Sequence, residues 1–326
     1  MSTDDLAERV GAALVRAGHL SGKAAALPAV TPILNWGGFV NRSFAATDGR
    51  ARLHVKLAEY SENRRELRRW HAVSALLNER YRAPLVLAWV DIEGTPYAGL
   101  VSEWIEGETP AALSPSVRKQ TAASIDALHR DEELADALRG LGDAPRTCFD
   151  AYSATYDERF VGDLEGVGES PPPFLSRETI AWMEEETKAL AVMASNSAAF
   201  QEQAVSPSHG DLWLNNLIVQ PDGEVCVCDW DDVSLGDPVM DWAMLFGPSR
   251  TDLLPRAEDA ADRLGLAAAE RERLALYARA SLFDWLLDPL ADWVEADRMP
   301  EHREEVRAAN RRVHERALDL YRERYP

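Results

Sequence analysis

The sequence predicts an α+β fold in two parts: a small antiparallel sheet with a helix, then a larger and mostly helical segment. Three observations predict it. Short runs alternating apolar and polar residues, the mark of half-buried strands, fall before Gly107. Apolar residues at helical spacing dominate from Ser116 onward. One later hairpin, over residues 217–228, interrupts the helices.

Residues 5–16 form a helix with Leu6, Val10 and Leu14 on one face, packed on the segment that follows. Gly37 and Gly38 sit between two candidate strands, where consecutive N–H groups can cradle an anion. Residues 52–57 alternate as a strand, with Leu53, Val55 and Leu57 on one side and His54 and Lys56 on the other. Residues 61–79 are a helix whose apolar face carries Leu67, Trp70, Val73 and Leu77. Glu66 starts that stripe one turn before Trp70, and Glu62 lies one turn earlier on the same side. Residues 85–90 and 97–102 are strands joined by a turn. Residues 116–128 are a helix ending in Leu128-His129-Arg130, where His129 has a packing or capping role. Residues 148–173 read as a helix and then a loop rich in Gly and Pro, with Phe149, Tyr152, Tyr156 and Phe160 spaced for core packing. Another helix covers 176–194. Asp237-Pro238 begins a further one, Asp as N-cap and Pro at the first helical position.

Composition narrows the class. The chain of 326 residues is long enough for a real core. No run of about 18 apolar residues is present, so no transmembrane helix is expected. Met1-Ser2-Thr3-Asp4-Asp5 has no signal-peptide character. Cys148, Cys226 and Cys228 make no disulfide framework, which favours a reducing cytoplasm. Cys226 and Cys228, without a second pair, read as buried thiols rather than a metal site. A net charge of −20 opposes nucleic-acid or anionic-membrane partners. Lysine is confined to Lys23, Lys56, Lys119 and Lys188.

The chemistry concentrates between Ser208 and Asp231. His209-Gly210-Asp211 is followed after four residues by Asn216, then by Leu217-Ile218-Val219, the turn Pro221-Asp222-Gly223, and Val225-Cys226-Val227-Cys228. If Gln220 pairs with Glu224, Asn216 lies opposite Cys228, next to Asp229. A carboxamide and a carboxylate then meet at the hairpin's open end, beside Asp211. Oxygen donors gathered this way suit Mg²⁺, which binds a few protein oxygens plus substrate phosphates. A carboxylate outside the metal shell could take a hydroxyl proton, the logic of kinase phosphoryl transfer.

This stretch, with Gly236-Asp237-Pro238 and Asp241-Trp242-Ala243 after it, resembles the aminoglycoside phosphotransferase/choline kinase-like family, which has a two-lobed protein-kinase-like fold. The resemblance implies a nucleotide-binding N-lobe at 1–106 and a C-lobe at 107–326 that carries the catalytic loop and acceptor-binding helices. It implies ATP and Mg²⁺ as cofactors, with Asp211 as catalytic base and Asn216 and Asp229 as metal ligands. Lys56 would hold the α/β-phosphates, oriented by Glu66. Gly37, Gly38 and Asn41 belong to a loop like the family's Gly-Gly-x-Ser-Asn, with Val40 where Ser is usual. His54 stands where the family places a small or apolar residue over the base. Glu103 and Ile105 would offer main-chain groups to adenine at the hinge. Asp241 would brace the catalytic loop.

Asp237 follows Asp229 by only eight positions, too few for the activation segment that a polypeptide substrate needs, so a small-molecule hydroxyl acceptor is expected. On a helix over 275–297, Asp284, Asp288, Asp292 and Glu295 recur with Trp285 and Trp293 beside them. They form either a solvated acidic face or a pocket wall for a cationic, hydroxyl-rich acceptor such as an aminoglycoside. Asp231, Asp284, Trp285 and Asp288 are the acceptor candidates. A metabolite kinase for a sugar, choline-like compound or amino alcohol is the alternative, as is a nucleotide-binding protein without transfer activity. The expected form is a cytoplasmic monomer or homodimer.

Overall fold

The computed structural model describes residues 2–21, 28–33, 41–142, 147–249, 253, 257–298 and 302–326. In chain order its elements are α1 (Thr3–Arg16), β1 (Ala29–Ile33), β2 (Asn41–Thr47), β3 (Arg52–Ala58), α2 (Ser61–Tyr81), β4 (Val86–Asp91), β5 (Ala98–Glu103), α3 (Pro115–Leu128) and α4 (Glu132–Gly140). Then come α5 (Cys148–Tyr152), α6 (Glu158–Glu169), α7 (Arg177–Asn196), β6 (Ser206–Ser208), β7 (Leu217–Val219), β8 (Val225–Val227), β9 (Ser234–Gly236), α8 (Pro238–Leu245), α9 (Ala257–Leu264), α10 (Ala268–Glu295) and α11 (Arg303–Arg324). Two compact units result, one of Met1–Leu128, Asp136–Leu141 and Asn215–Val233, the other of His129–Ala135, Gly142–Leu214 and Ser234–Pro326. This grouping follows packing, and it assigns the β7–β8 hairpin to the first unit. No described helix is long and apolar enough to cross a membrane.

The first unit is built on a five-stranded antiparallel sheet, ordered β1-β2-β3-β5-β4. Leu53, Val55 and Leu57 of β3 alternate into a core shared with Leu6, Val10 and Leu14 of α1 and Phe44 of β2. The period of two in the strand and of four in the helix brings these faces together. Ser2 caps α1 by accepting from the Asp5 N–H at 3.2 Å. α2 packs across β3, β4 and β5 and buries Leu67, Trp70, Val73 and Leu77, the stripe expected from sequence. The β7–β8 hairpin is tied in at Glu108, whose N–H donates to Val219 O at 3.0 Å while Val219 N–H donates back at 2.9 Å. The chain can pass this close only because residue 107 is glycine: a Cβ there would overlap the Val219 main-chain oxygen.

The second unit wraps its helices around α10, whose Tyr277, Leu282, Phe283, Leu286 and Leu290 are fully buried. Tyr152, Tyr156 and Phe160 pack against Tyr277 and Phe283, the core role their spacing predicted. One expectation is corrected here. The glycine-rich stretch after Phe160 is not a loop: α6 runs to Glu169 through Gly162, Gly166 and Gly168. Each glycine costs about 1 kcal/mol of helix propensity, which the burial of Phe160, Leu164 and Val167 offsets. The Asp237 cap is as expected, accepting from Val239 N–H at 3.1 Å with Pro238 next.

Candidate active site

Because Leu53, Val55 and Leu57 enter the core, His54 and Lys56 must face the other side of β3. There they line a cavity of about 350 Å³ with Glu103, Ile105, Asn216 and Asp229. Lys56 is only 7% exposed, and its ammonium pairs with both Asp229 and Asp231. Burial alone would lower its pKa, but the two carboxylates outweigh burial and hold it well above the usual lysine range. Asp229 takes a left-handed backbone, φ 63°, which costs a non-glycine residue about 1 kcal/mol and is typical of functional positions. The hairpin delivers Asn216 and Asp229 together in the way local chemistry predicted. Gln220 N–H donates to Glu224 O at 2.8 Å, and Cys228 N–H donates to Asn216 O at 2.7 Å.

Asp231, one of the acceptor candidates, is placed on Lys56. It is buried and accepts a hydrogen bond from Asn41 Nδ2 at 2.9 Å. Burial raises its carboxyl above the usual range even against the pull of Lys56. Asn41 and Asp231 each keep one buried side-chain oxygen, Oδ1 in both, without a hydrogen-bond partner. Hard oxygen donors from Asn216 and Asp229, with these further oxygens at Lys56, fit Mg²⁺. Among the described residues no group of three or more His, Cys, Asp or Glu side chains is gathered to hold a metal ion.

Glu66 does not meet Lys56. It accepts instead from Asn63 Nδ2 at 3.4 Å, and its carboxyl is raised by burial and by Asp232. In place of the partner expected from the helix, Lys56 pairs with Asp229 and Asp231. Gly37 and Gly38 lie outside the described residues. Glu103 anchors the end of β5: its Oε1 accepts from Leu85 N–H at 2.9 Å and Asn78 Nδ2 at 3.3 Å. His54 is half-buried, and burial together with Lys56 lowers its pKa to about 4, leaving a neutral imidazole. Cys226 is buried as expected, whereas Cys228 is half-buried and lines the cavity.

In the second unit, the loop after β6 carries Asp211. Asp241, fully buried on α8, accepts from the main-chain N–H groups of His209 at 2.9 Å and Gly210 at 3.0 Å, and pairs with His129 Nε2 at 2.9 Å. Burial would raise this carboxyl, but the bond and charge of His129 outweigh it and hold it below its usual range. His129 also stands edge-on to Trp242 at 5.2 Å. The Asp211 N–H donates to His209 Nδ1 at 3.2 Å, closing the loop on itself.

The acids of α10 have partners within the second unit. Asp284 is buried and ion-paired with Arg159 of α6. Asp292 accepts from Asn310 Nδ2 of α11 at 3.5 Å. Asp288 is half-buried and adds to the charge that raises the Arg159 pKa, behind Asp284 and its bond and against the effect of burial. Trp285 meets Trp213, two residues after Asp211, edge-on at 6.0 Å. Sequence reasoning missed Arg159 and Asp163, one turn apart beside the aromatic stripe of α6. Two charged residues next to an apolar stripe were the available signal. Burial lifts the Asp163 carboxyl to about 6, against the pull of Arg159.

A five-stranded antiparallel sheet carrying a buried lysine, a helical remainder, and a braced His-Gly-Asp loop define a protein-kinase-like phosphotransferase. The chain belongs to the phosphotransferase enzyme family, whose model matches residues 33–283. It is therefore a small-molecule kinase that acts on a hydroxyl group. Comparison with curated proteins finds no match. Solved structures share the fold. The GDP and kanamycin complex of an APH(2″) enzyme is 13% identical, with 96% of each chain covered and a TM-score of 0.59. The macrolide 2′-phosphotransferase of Brachybacterium faecium is 16% identical, covering 94% of this chain and 97% of that one, at 0.53. The ethanolamine kinase of Plasmodium vivax is 12% identical, covering 99% of this chain and 90% of that one, at 0.56.

Proposed function

We propose that the chain transfers the γ-phosphoryl group of ATP to a hydroxyl of a polyhydroxyl or cationic small molecule, with Mg²⁺ held by Asn216 and Asp229. The observation that carries this reading is the meeting of Lys56 and Asp229 at one cavity that Asn216 also lines. Bound Mg²⁺ would supply neutralisation of phosphate charge. Lys56 exchanges its carboxylate partners for α/β-phosphate oxygens. The main chain at Glu103 and Ile105 bonds the base, and Gly37 and Gly38 approach the phosphates. Asp211 accepts the hydroxyl proton as the phosphoryl group moves in line, and Asp241 and His209 hold its loop in shape. Most of the acceleration comes from positioning and fixed charge. The proposed functional division is a nucleotide-binding part at 1–106 and a part at 107–326 that carries the catalytic loop and the acceptor-binding helices, in a cytoplasmic monomer or homodimer.

One observation favours a second reading, a metabolite kinase. Asp284 is already paired with Arg159, which reduces the acid that α10 offers a polycation. ATP consumption measured over aminoglycosides, macrolides, amino alcohols and sugars decides between the two. Asp211→Ala should keep the melting shift produced by Mg-ATP while turnover falls roughly 10²–10⁴-fold. Turnover near wild type removes Asp211 as the base. ATP binding with no acceptor phosphorylated would leave a nucleotide-binding protein without transfer activity.

A further inference from the structure

Outside the phosphoryl-transfer groups, one pair of thiols stands together, with Cys228 of the pair lining the same cavity. Cys226 on β8 and Cys228 just after it project from the same face of the strand, because side chains two apart share a face. Their sulfurs lie 3.6 Å apart. They are separate thiols, each reduced. Cys226 is buried, its Sγ donating to Arg82 O at 2.9 Å, whereas Cys228 is half-buried and lines the cavity.

Two sulfurs bound at about 2.3 Å to one trivalent arsenic, whose lone pair makes it pyramidal with angles of about 100°, stand roughly 3.5 Å apart. The observed spacing matches that bite without movement of the backbone. Both Sγ atoms come from one rigid hairpin, clamped at its open end by the Cys228 N–H to Asn216 O bond. A monodentate thiol reagent gains nothing from the arrangement. A species that takes two sulfurs gains a chelate whose ring closure is already paid.

We propose that Cys226 and Cys228 form a vicinal dithiol site for a trivalent, thiophilic species of the arsenical class. The step balances. The As=O group of an organoarsenic oxide meets two thiols, two As–S bonds form, the As–O double bond is lost, and the oxygen leaves with both thiol protons as water. No oxidant or reductant is needed, since arsenic stays trivalent and each sulfur keeps its oxidation state. Because Cys228 lines the cavity and immediately precedes Asp229, the adduct occupies space at the nucleotide site. That consequence rests on the nucleotide reading above; the adduct itself does not.

The test uses the whole chain and phenylarsine oxide at one equivalent, read by intact mass. The expected result is a single phenylarsenic group with loss of both thiol hydrogens, reversed by 2,3-dimercaptopropanol and resistant to a monothiol at the same sulfur concentration. Cys226→Ser and, at the more exposed position, Cys228→Ala should each abolish the adduct, while Cys148→Ser keeps it. An adduct that survives in either single variant, or that forms only after denaturation, overturns the site. Saturating Mg-ATP should slow labelling at least tenfold. If the adduct forms on these two residues at a rate Mg-ATP does not change, the dithiol site stands and the assignment of the cavity to nucleotide falls.

Discussion

Replacing Asp241 by alanine removes one buried carboxylate and strands the three groups that point at it. The main-chain N–H groups of His209 and Gly210 lose their acceptor, and His129 loses its partner. Each buried donor left unpaired costs about 1–3 kcal/mol, and breaking a buried charged contact costs about 3–5 kcal/mol. These costs overlap because all three groups share one acceptor. The expected loss is about 3–5 kcal/mol, a fall in melting temperature of roughly 6–20 °C for a unit of this size. The assay is thermal unfolding with and without Mg-ATP. The melting point should drop while the nucleotide-induced shift persists, because Lys56, Asn216 and Asp229 belong to the other compact unit. Asp241→Asn, which retains one acceptor oxygen, should fall between. A loss below about 1 kcal/mol, or a nucleotide shift that vanishes while the melting point holds, refutes the bracing role.

Lys56→Met should erase the Mg-ATP melting shift, whereas Glu66→Gln should leave it close to wild type, since Glu66 does not pair with Lys56; equal losses would restore Glu66 as the orienting carboxylate. Gly99→Ala would push a Cβ into the main-chain oxygen of Lys56, so a urea titration should show a loss above about 2 kcal/mol together with weakened nucleotide binding. The folded-state pKa of Asp163 is raised to about 6 by burial, so its stabilising protonation is complete below about 4 and is lost as pH rises through 6, with Arg159 offsetting and Asp284 and Glu295 adding to the effect. Asp163→Asn should therefore be more stable than wild type at pH 8 by about 1–2 kcal/mol after solvent screening, with the difference fading toward pH 4. A pH-independent difference in melting temperature would contradict this.

The chain's local order alone determined much of this protein. The strand of Lys56, the stripe of α2, the capped start of α8 and the pairing that sets Asn216 beside Asp229 all depend on neighbours within a few residues. Periodicity and turn chemistry report such relations directly. The same signals misread α6, where tertiary burial overrode three glycines. They also could not choose the partners of charged groups. Lys56 and Asp229 are separated by 173 positions and Arg159 and Asp284 by 125. A pattern of period two or 3.6 tells which side of an element a residue faces, never what stands opposite. Only the packed structure decided that Asp231 rather than Glu66 holds the lysine, and that the acids of α10 answer an arginine and a neighbouring helix, because a buried charge is settled by whichever opposite group the fold brings within reach.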